Sequence, residues 1–157
     1  MRINSPICSR VEGTLHDWLL HEDWFFDLGQ FSRKNPSATY AQRCRGKRLH
    51  IKAGYVWDGG SIPPGLWGLF LGNEQTFPCA YCTHDGVYDG ELLSRLEADE
   101  LLLDILQAEG AFWIQRKVIY RAVRDWGDFL AWNHHTKESI LKAREFVSLI
   151  PLHPVYT

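Results

Sequence analysis

Hydrophobic positions change their period part-way along the chain. Up to residue 57 the apolar runs are short and bounded by polar or glycine-containing stretches. Segments 15–20 and 23–28, rich in Trp, Phe and Leu, alternate imperfectly and predict two short strands. Leu49, Ile51 and residues 55–57 predict further β structure. Between them, residues 29–46 are polar and basic (Arg33, Lys34, Asn35, Pro36, Arg43, Arg45), which predicts a long loop. Its cations either form a solvated face or meet phosphates or a protein partner. Asp58-Gly59-Gly60-Ser61 then breaks the pattern with a turn that glycine leaves able to wrap around something.

Beyond that turn the spacing becomes helical. Ser61 reads as an N-cap, with Pro63 and Pro64 in the first turn of a short apolar helix through Phe70. Pro78 suits the first turn of a second helix running to Tyr88 and stopped by Asp89-Gly90. Leu92, Leu96, Leu103 and Leu106 place the apolar face of a third helix over 92–108, ended by Gly110. Ile114, Val118, Ile119, Val123 and Trp126 mark a fourth over 112–132, and a last helix over 137–149 stops before Pro151. Strands first and helices afterwards predict an α+β fold. The expected arrangement is a small N-terminal antiparallel sheet followed by an antiparallel helical core. It forms one domain over 1–157, β-rich in 1–54 and helical in 55–157.

Composition narrows the function classes. At 157 residues there is room for one core, and 45% apolar with 23% charged residues is a globular mix. Seventeen Lys and Arg against nineteen Asp and Glu give a net charge of −2, so no global field draws the chain to nucleic acid. The longest stretch without charge, 59–73, contains two prolines and is too short to span a bilayer, and no signal peptide is read. Seven Trp and eight Phe mean that large rings fill the core or line a groove. Cys8, Cys44, Cys79 and Cys82 are expected as free thiols, with two bridges possible in an oxidising compartment.

The densest polar cluster on an apolar background is Thr83-His84-Asp85. On a helix His84 and Asp85 diverge by about 100°. They either serve neighbouring sites, as proton acceptor and cation ligand, or are a core histidine and a surface charge. Tyr81 and Tyr88 stand on the face of His84. Asp99, at the edge of the leucine face, is costly to bury alone. An imidazole from an antiparallel helix would satisfy it; otherwise it is exposed or paired with Arg95. Asp58 caps its turn, or shares a hard cation with Asp85, carbonyls of Gly59 or Gly60 adding oxygen ligands. Cys79-x-x-Cys82-x-His84 also has the spacing of a zinc half-site that His50 or His134-His135 would complete, the alternative being two buried thiols. Ile62, Leu66, Trp67, Leu69 and Phe70 form either plain core or a lipid-facing lip.

The order Asp58-Gly59-Gly60-Ser61, Phe77-Pro78, Thr83-His84-Asp85-x-x-Tyr88, Arg95-x-x-x-Asp99 resembles the phospholipase A2 superfamily, nearest to its small prokaryotic and fungal branch. Tyr120-Arg-Ala-Val-Arg-Asp-Trp-Gly127 is similar to a stretch in relatives of that fold. The block from Tyr55 to Gly127 also resembles an uncharacterised family frequent in phage and prophage genomes. The resemblance implies that His84 is the general base that activates water against an ester carbonyl, braced by Asp99. It also implies a Ca²⁺ ion held by Asp85, Asp58 and a carbonyl of Gly59 or Gly60, with Tyr88 and Tyr120 in support. Two departures stand out. Tyr81 occupies the place of the family's cysteine before His84, and the turn reads Gly-Gly instead of Gly-Cys. The expectation is a Ca²⁺-dependent, phospholipase A2-like hydrolase of phospholipid or another ester, encoded by a phage or prophage and placed in host cytoplasm or virion. The rivals are a non-catalytic tail or baseplate protein that binds other phage structural proteins, and a zinc-dependent cell-wall hydrolase.

Overall fold

Alternation of large rings decides which face of each early strand turns inward. In the computed structural model, which describes residues 3–14, 17–57, 76–130 and 135–152 (backbone alone for 126–130), Trp18 and Leu20 of β2 (Trp18–Leu20) are buried. So are Trp24 and Phe26 of β3 (Trp24–Asp27), while Phe25 between them faces out. Each strand sits in its own antiparallel sheet. β1 (Cys8–Arg10), β2 and β5 (Val56–Trp57) form the first, with Trp18 opposite Trp57. The second has order β3-β4-β6, with β4 (Lys47–Ile51) between β3 and β6 (Val147–Pro151). Its register sets Phe26 opposite Leu49, and Ile51 opposite Val147. The fold is α+β.

Three expectations change here. Residues 29–46 are not loop throughout but carry two short helices, α1 (Gly29–Lys34) and α2 (Ala41–Cys44). Phe31, Tyr40 and Cys44, each fully buried, anchor this segment, and its polar composition hides them. The last helix, α6 (Lys137–Phe146), ends at Phe146, because Val147 onward completes the sheet on the edge of β4. The second sheet is therefore closed by the C-terminal part of the chain. Finally, the inward face of α4 (Arg95–Ala108) is Ala98, Leu101, Leu102, Ile105 and, as expected, Leu106, whereas Leu96 faces solvent. Asp99 thus lies on the buried face itself. The helix expected over 62–70 lies outside the described residues.

α3 (Pro78–Asp89) is the helix around which the others gather. Pro78 opens it, and nine of its twelve residues are buried, as expected of a helix covered on every side. It packs against α4, α6, β5 and β6. α3 and α4 run antiparallel: Glu109, just past the end of α4, accepts the N–H groups of Cys79 (3.0 Å) and Ala80 (2.8 Å) at the start of α3. Those are donors that a helix leaves unsatisfied, so one carboxylate closes the N-terminus of its neighbour. α4 begins with a capping box, the Ser94 hydroxyl taking the Glu97 N–H while the Glu97 carboxylate takes that of Ser94. α5 (Trp113–Leu130) follows after Gly110, whose φ of +93° needs glycine. No helix among the described residues is long and apolar enough to cross a membrane.

Two glycines let α3 approach the second sheet. A Cβ on Gly90 would meet Val147 Cγ2 at 2.7 Å, and Val147 is a stiff, buried, β-branched side chain. A Cβ on Gly86 would press on the terminal Cδ1 of Ile51 at 2.9 Å, a methyl that one rotamer change can move, and touch Val147 Cγ1 at an ordinary 3.5 Å. Gly90→Ala is therefore expected to destabilise by about 1–3 kcal/mol through overpacking. Gly86→Ala should stay within roughly 1 kcal/mol of wild type, since helix propensity returns a similar amount. Urea unfolding of the two variants checks the contrast.

Candidate functional site

The α3–α4 hairpin fixes the central pair. His84 lies in the second turn of α3 and Asp99 in the second turn of α4, on either side of the 90–94 connection. Antiparallel packing sets them face to face: His84 Nε2 is 2.9 Å from Asp99 Oδ1, with Asp99 wholly buried and His84 8% exposed. A carboxylate accepts only, so Nε2 carries the proton and donates. The lone pair of the neutral ring then falls on Nδ1, which lies 3.6 Å from Asp85 Oδ1.

A third helix reaches the same carboxylate. Arg124 of α5 sets Nη1 3.1 Å from Asp99 Oδ2, so each Asp99 oxygen has its own cationic or polar donor. Arg95 of α4 returns the link by donating to the carbonyls of Val123 and Arg124. The sequence reading included Arg124 in its Tyr120–Gly127 motif but gave it no role. The available signal was its cationic side chain on an amphipathic helix, against a buried acid that one histidine leaves half satisfied.

The remaining predicted residues divide. Tyr88 stacks on His84, ring centroids 5.2 Å apart, and meets His135 edge-on at 5.6 Å. His135 lies 3.9 Å from Asp89 and 3.6 Å from Glu91. The Tyr55 hydroxyl donates to Asp89 at 2.7 Å. Tyr55, Asp89 and His135 line one side of a cavity of about 510 Å³ whose other wall is α6, with Lys142 and Phe146. Sequence reasoning missed this cavity, because its walls come from four separate segments. Tyr120 instead lines a groove with Thr39, Glu100, Leu103 and Asp104, and Arg124, one turn further along α5, is the residue that meets Asp99. Asp58, Gly59 and Gly60 lie outside the described residues.

Burial and charge set the protonation of the site. Burial alone would lower the His84 imidazole, but the adjacent Asp85 and the hydrogen bond to Asp99 outweigh it and raise the ring to about 9. Burial, with Asp89 and Asp85 close by, keeps Tyr55 a phenol. Burial likewise pushes the Cys79 and Cys82 thiols up. All four cysteines are free. His84 is engaged by Asp99, and no cluster of three or more metal-ligating side chains occurs among the described residues, which gives the zinc half-site no completing partner there.

For a hard cation the chemistry of the donors is suitable but incomplete. Asp85, with a side chain 12% exposed beside Nδ1, is a hard oxygen ligand. Calcium takes six to eight oxygens. Asp58 and the glycine carbonyls, the other members of the expected set, belong to the segment outside the described residues.

Residues 35–123 match a family described as "Protein of unknown function (DUF1353)", and the chain belongs to that family. The match includes His84, Asp85 and Asp99 and stops one residue short of Arg124. No curated protein and no solved structure matches the chain.

The raised imidazole makes stability depend on pH. A group whose folded pKa exceeds its unfolded value contributes fully below the unfolded value and loses that contribution as pH climbs through the folded one. For His84 the window runs from 6.5 to about 9. Wild-type stability in urea is expected to fall across that window, and His84→Asn to flatten the decline. Equal slopes for the two proteins would contradict the assignment.

Proposed function

We propose that this protein is a hydrolase that activates water with the His84–Asp99 pair, acting on an ester in the manner of a phospholipase A2, with calcium as its cofactor. The observation that carries the reading is the Nε2–Asp99 hydrogen bond of 2.9 Å, which leaves Nδ1 as the base nitrogen beside Asp85. Its residues stand in the order that resembles that superfamily, and the same order supports a phage or prophage origin.

Asp99 holds the ring in the Nε2–H tautomer and offsets the imidazolium that forms when Nδ1 takes a proton from water. Arg124 fixes the second oxygen of Asp99, so the carboxylate cannot rotate away from the ring. Tyr88, stacked on the imidazole, excludes solvent from one of its faces. Asp85, with Asp58, would hold calcium, which supplies Lewis-acid polarisation of a carbonyl and charge for its oxyanion. A cation on Asp85 also offsets one of the two charges that keep His84 protonated, favouring the basic ring at neutral pH.

A second reading has its own support. An imidazole raised to about 9 is protonated at neutral pH, and in that state the His84–Asp99–Arg124 array ties three helices together with no chemistry at all. A non-catalytic virion protein on this scaffold, docking to other phage structural proteins, would need nothing more.

Hydrolysis of a phospholipid or a soluble aryl ester, followed against pH with calcium or a chelator, separates the two. The hydrolase reading expects a rate that rises with pH as His84 deprotonates, and calcium to move that rise to lower pH. His84→Asn should lower it by at least about 100-fold, as loss of a general base does. The same background rate in wild type and variant would leave the scaffold reading.

A further inference from the structure

At the tip of the α4–α5 hairpin the chain displays three consecutive large apolar side chains. Phe112 is 75% exposed, Trp113 60% and Ile114 49%. Phe112 stands just before α5, and Trp113 and Ile114 are its first two residues. Leaving such side chains in water is unfavourable, which favours their burial against an apolar phase.

The first turns of α5 are basic. Residues 113–123 carry Arg116, Lys117 and Arg121 and no acid, in a chain whose net charge is −2. The Lys117 ammonium lies over the Trp113 ring, 5.2 Å from its centroid. The nearest acid before the tip, Glu109, is turned inward on the start of α3. Trp113 and Ile114 line a groove of about 520 Å³ together with Leu103 and Val118, with Lys117 and Arg121 also on its wall.

We infer that the α4–α5 tip is a docking surface for an anionic lipid bilayer, Phe112, Trp113 and Ile114 entering the headgroup region while Lys117 and Arg121 meet lipid phosphates. Exposed aromatic residues with cations beside them are the composition of an interfacial anchor. The exposed cations beside the apolar side chains complement lipid phosphates, which is what favours an anionic bilayer. The inference does not depend on the hydrolase reading, since none of these five side chains belongs to the His84–Asp99 array.

Flotation of the purified chain with two kinds of vesicle tests it, one of phosphatidylcholine alone and one of phosphatidylcholine and phosphatidylglycerol in equal parts. Binding to the mixed vesicles is expected, with little to the neutral ones. Each cation at an anionic surface contributes roughly 5-fold, so Lys117→Ser with Arg121→Ser should weaken binding by about 25-fold. Phe112→Ser with Trp113→Ser should abolish it. These side chains are exposed, so unchanged thermal midpoints confirm that both double variants fold. His84→Asn should bind like wild type, which keeps this outcome separate from that of the hydrolysis assay. Binding that ignores lipid charge, or that survives both pairs of substitutions, overturns the inference. So does an absence of binding, which would leave the tip to a protein partner.

Discussion

A carboxylate with no exposure to water must be compensated where it stands, and Asp99 draws its compensation from two other helices. His84 of α3 reaches one oxygen and Arg124 of α5 the other. Losing either partner would leave a buried charge partly uncompensated, a defect that costs several kcal/mol. The array therefore sets the register of three helices: a slide of α4 by one turn, about 5.4 Å, would part Asp99 from both donors at once. Around it the apolar core fills space but selects register weakly, since Leu101, Leu102 and Ile105 would accept many neighbours.

The same array limits the chemistry. Two carboxylates near one imidazole make it a stable cation, good for cohesion and poor for taking a proton. Asp99 cannot be relieved of its charge without disturbing the fold. Asp85 is different: it lies at the margin of the buried region, on the side of Nδ1, and its charge can be offset from outside. Catalytic and structural readings thus share all their residues and differ only in what stands beside Asp85. For that reason the pH and cation dependence of a rate discriminates between them better than loss of activity in a variant, which destabilisation alone can produce.

Much of this was readable from the residues, where the signal was local. Pro78 marked the start of α3, and the alternation in 23–28 marked β3. The 15-residue separation of His84 and Asp99 is what a tight antiparallel hairpin needs to bring second turns together. What stayed hidden depended on partners distant in sequence. Residues 29–46 look solvated, yet Thr39 donates twice to Glu100, and Asn35 and Tyr40 donate to Asp104, so polar side chains fasten the segment to α4. Of Leu92, Leu96, Leu103 and Leu106, only Leu106 is fully buried and Leu96 is exposed, because leucine spacing does not reveal that a buried acid has been matched by two donors. Val147-Ser148-Leu149 continued a helical pattern plausibly enough, and only the open edge of β4 made it a strand.

That last strand bears on the site as well. β6 places Val147 against Gly90 and within reach of Gly86, so the C-terminal part of the chain presses on the end of α3 just beyond the turn that carries His84. Arg144 adds a hydrogen bond of 2.7 Å from α6 to the Gly90 carbonyl. Asp89, which precedes that glycine, lines the cavity shared with α6 and His135, and Tyr88 before it meets His135 edge-on. The C-terminal segment, for which sequence alone gave no role, thus fixes the far end of the helix that bears the imidazole and forms one wall of the space beside it. Anything that displaces α6 from the cavity would act on His84 through Tyr88, the ring that touches both histidines.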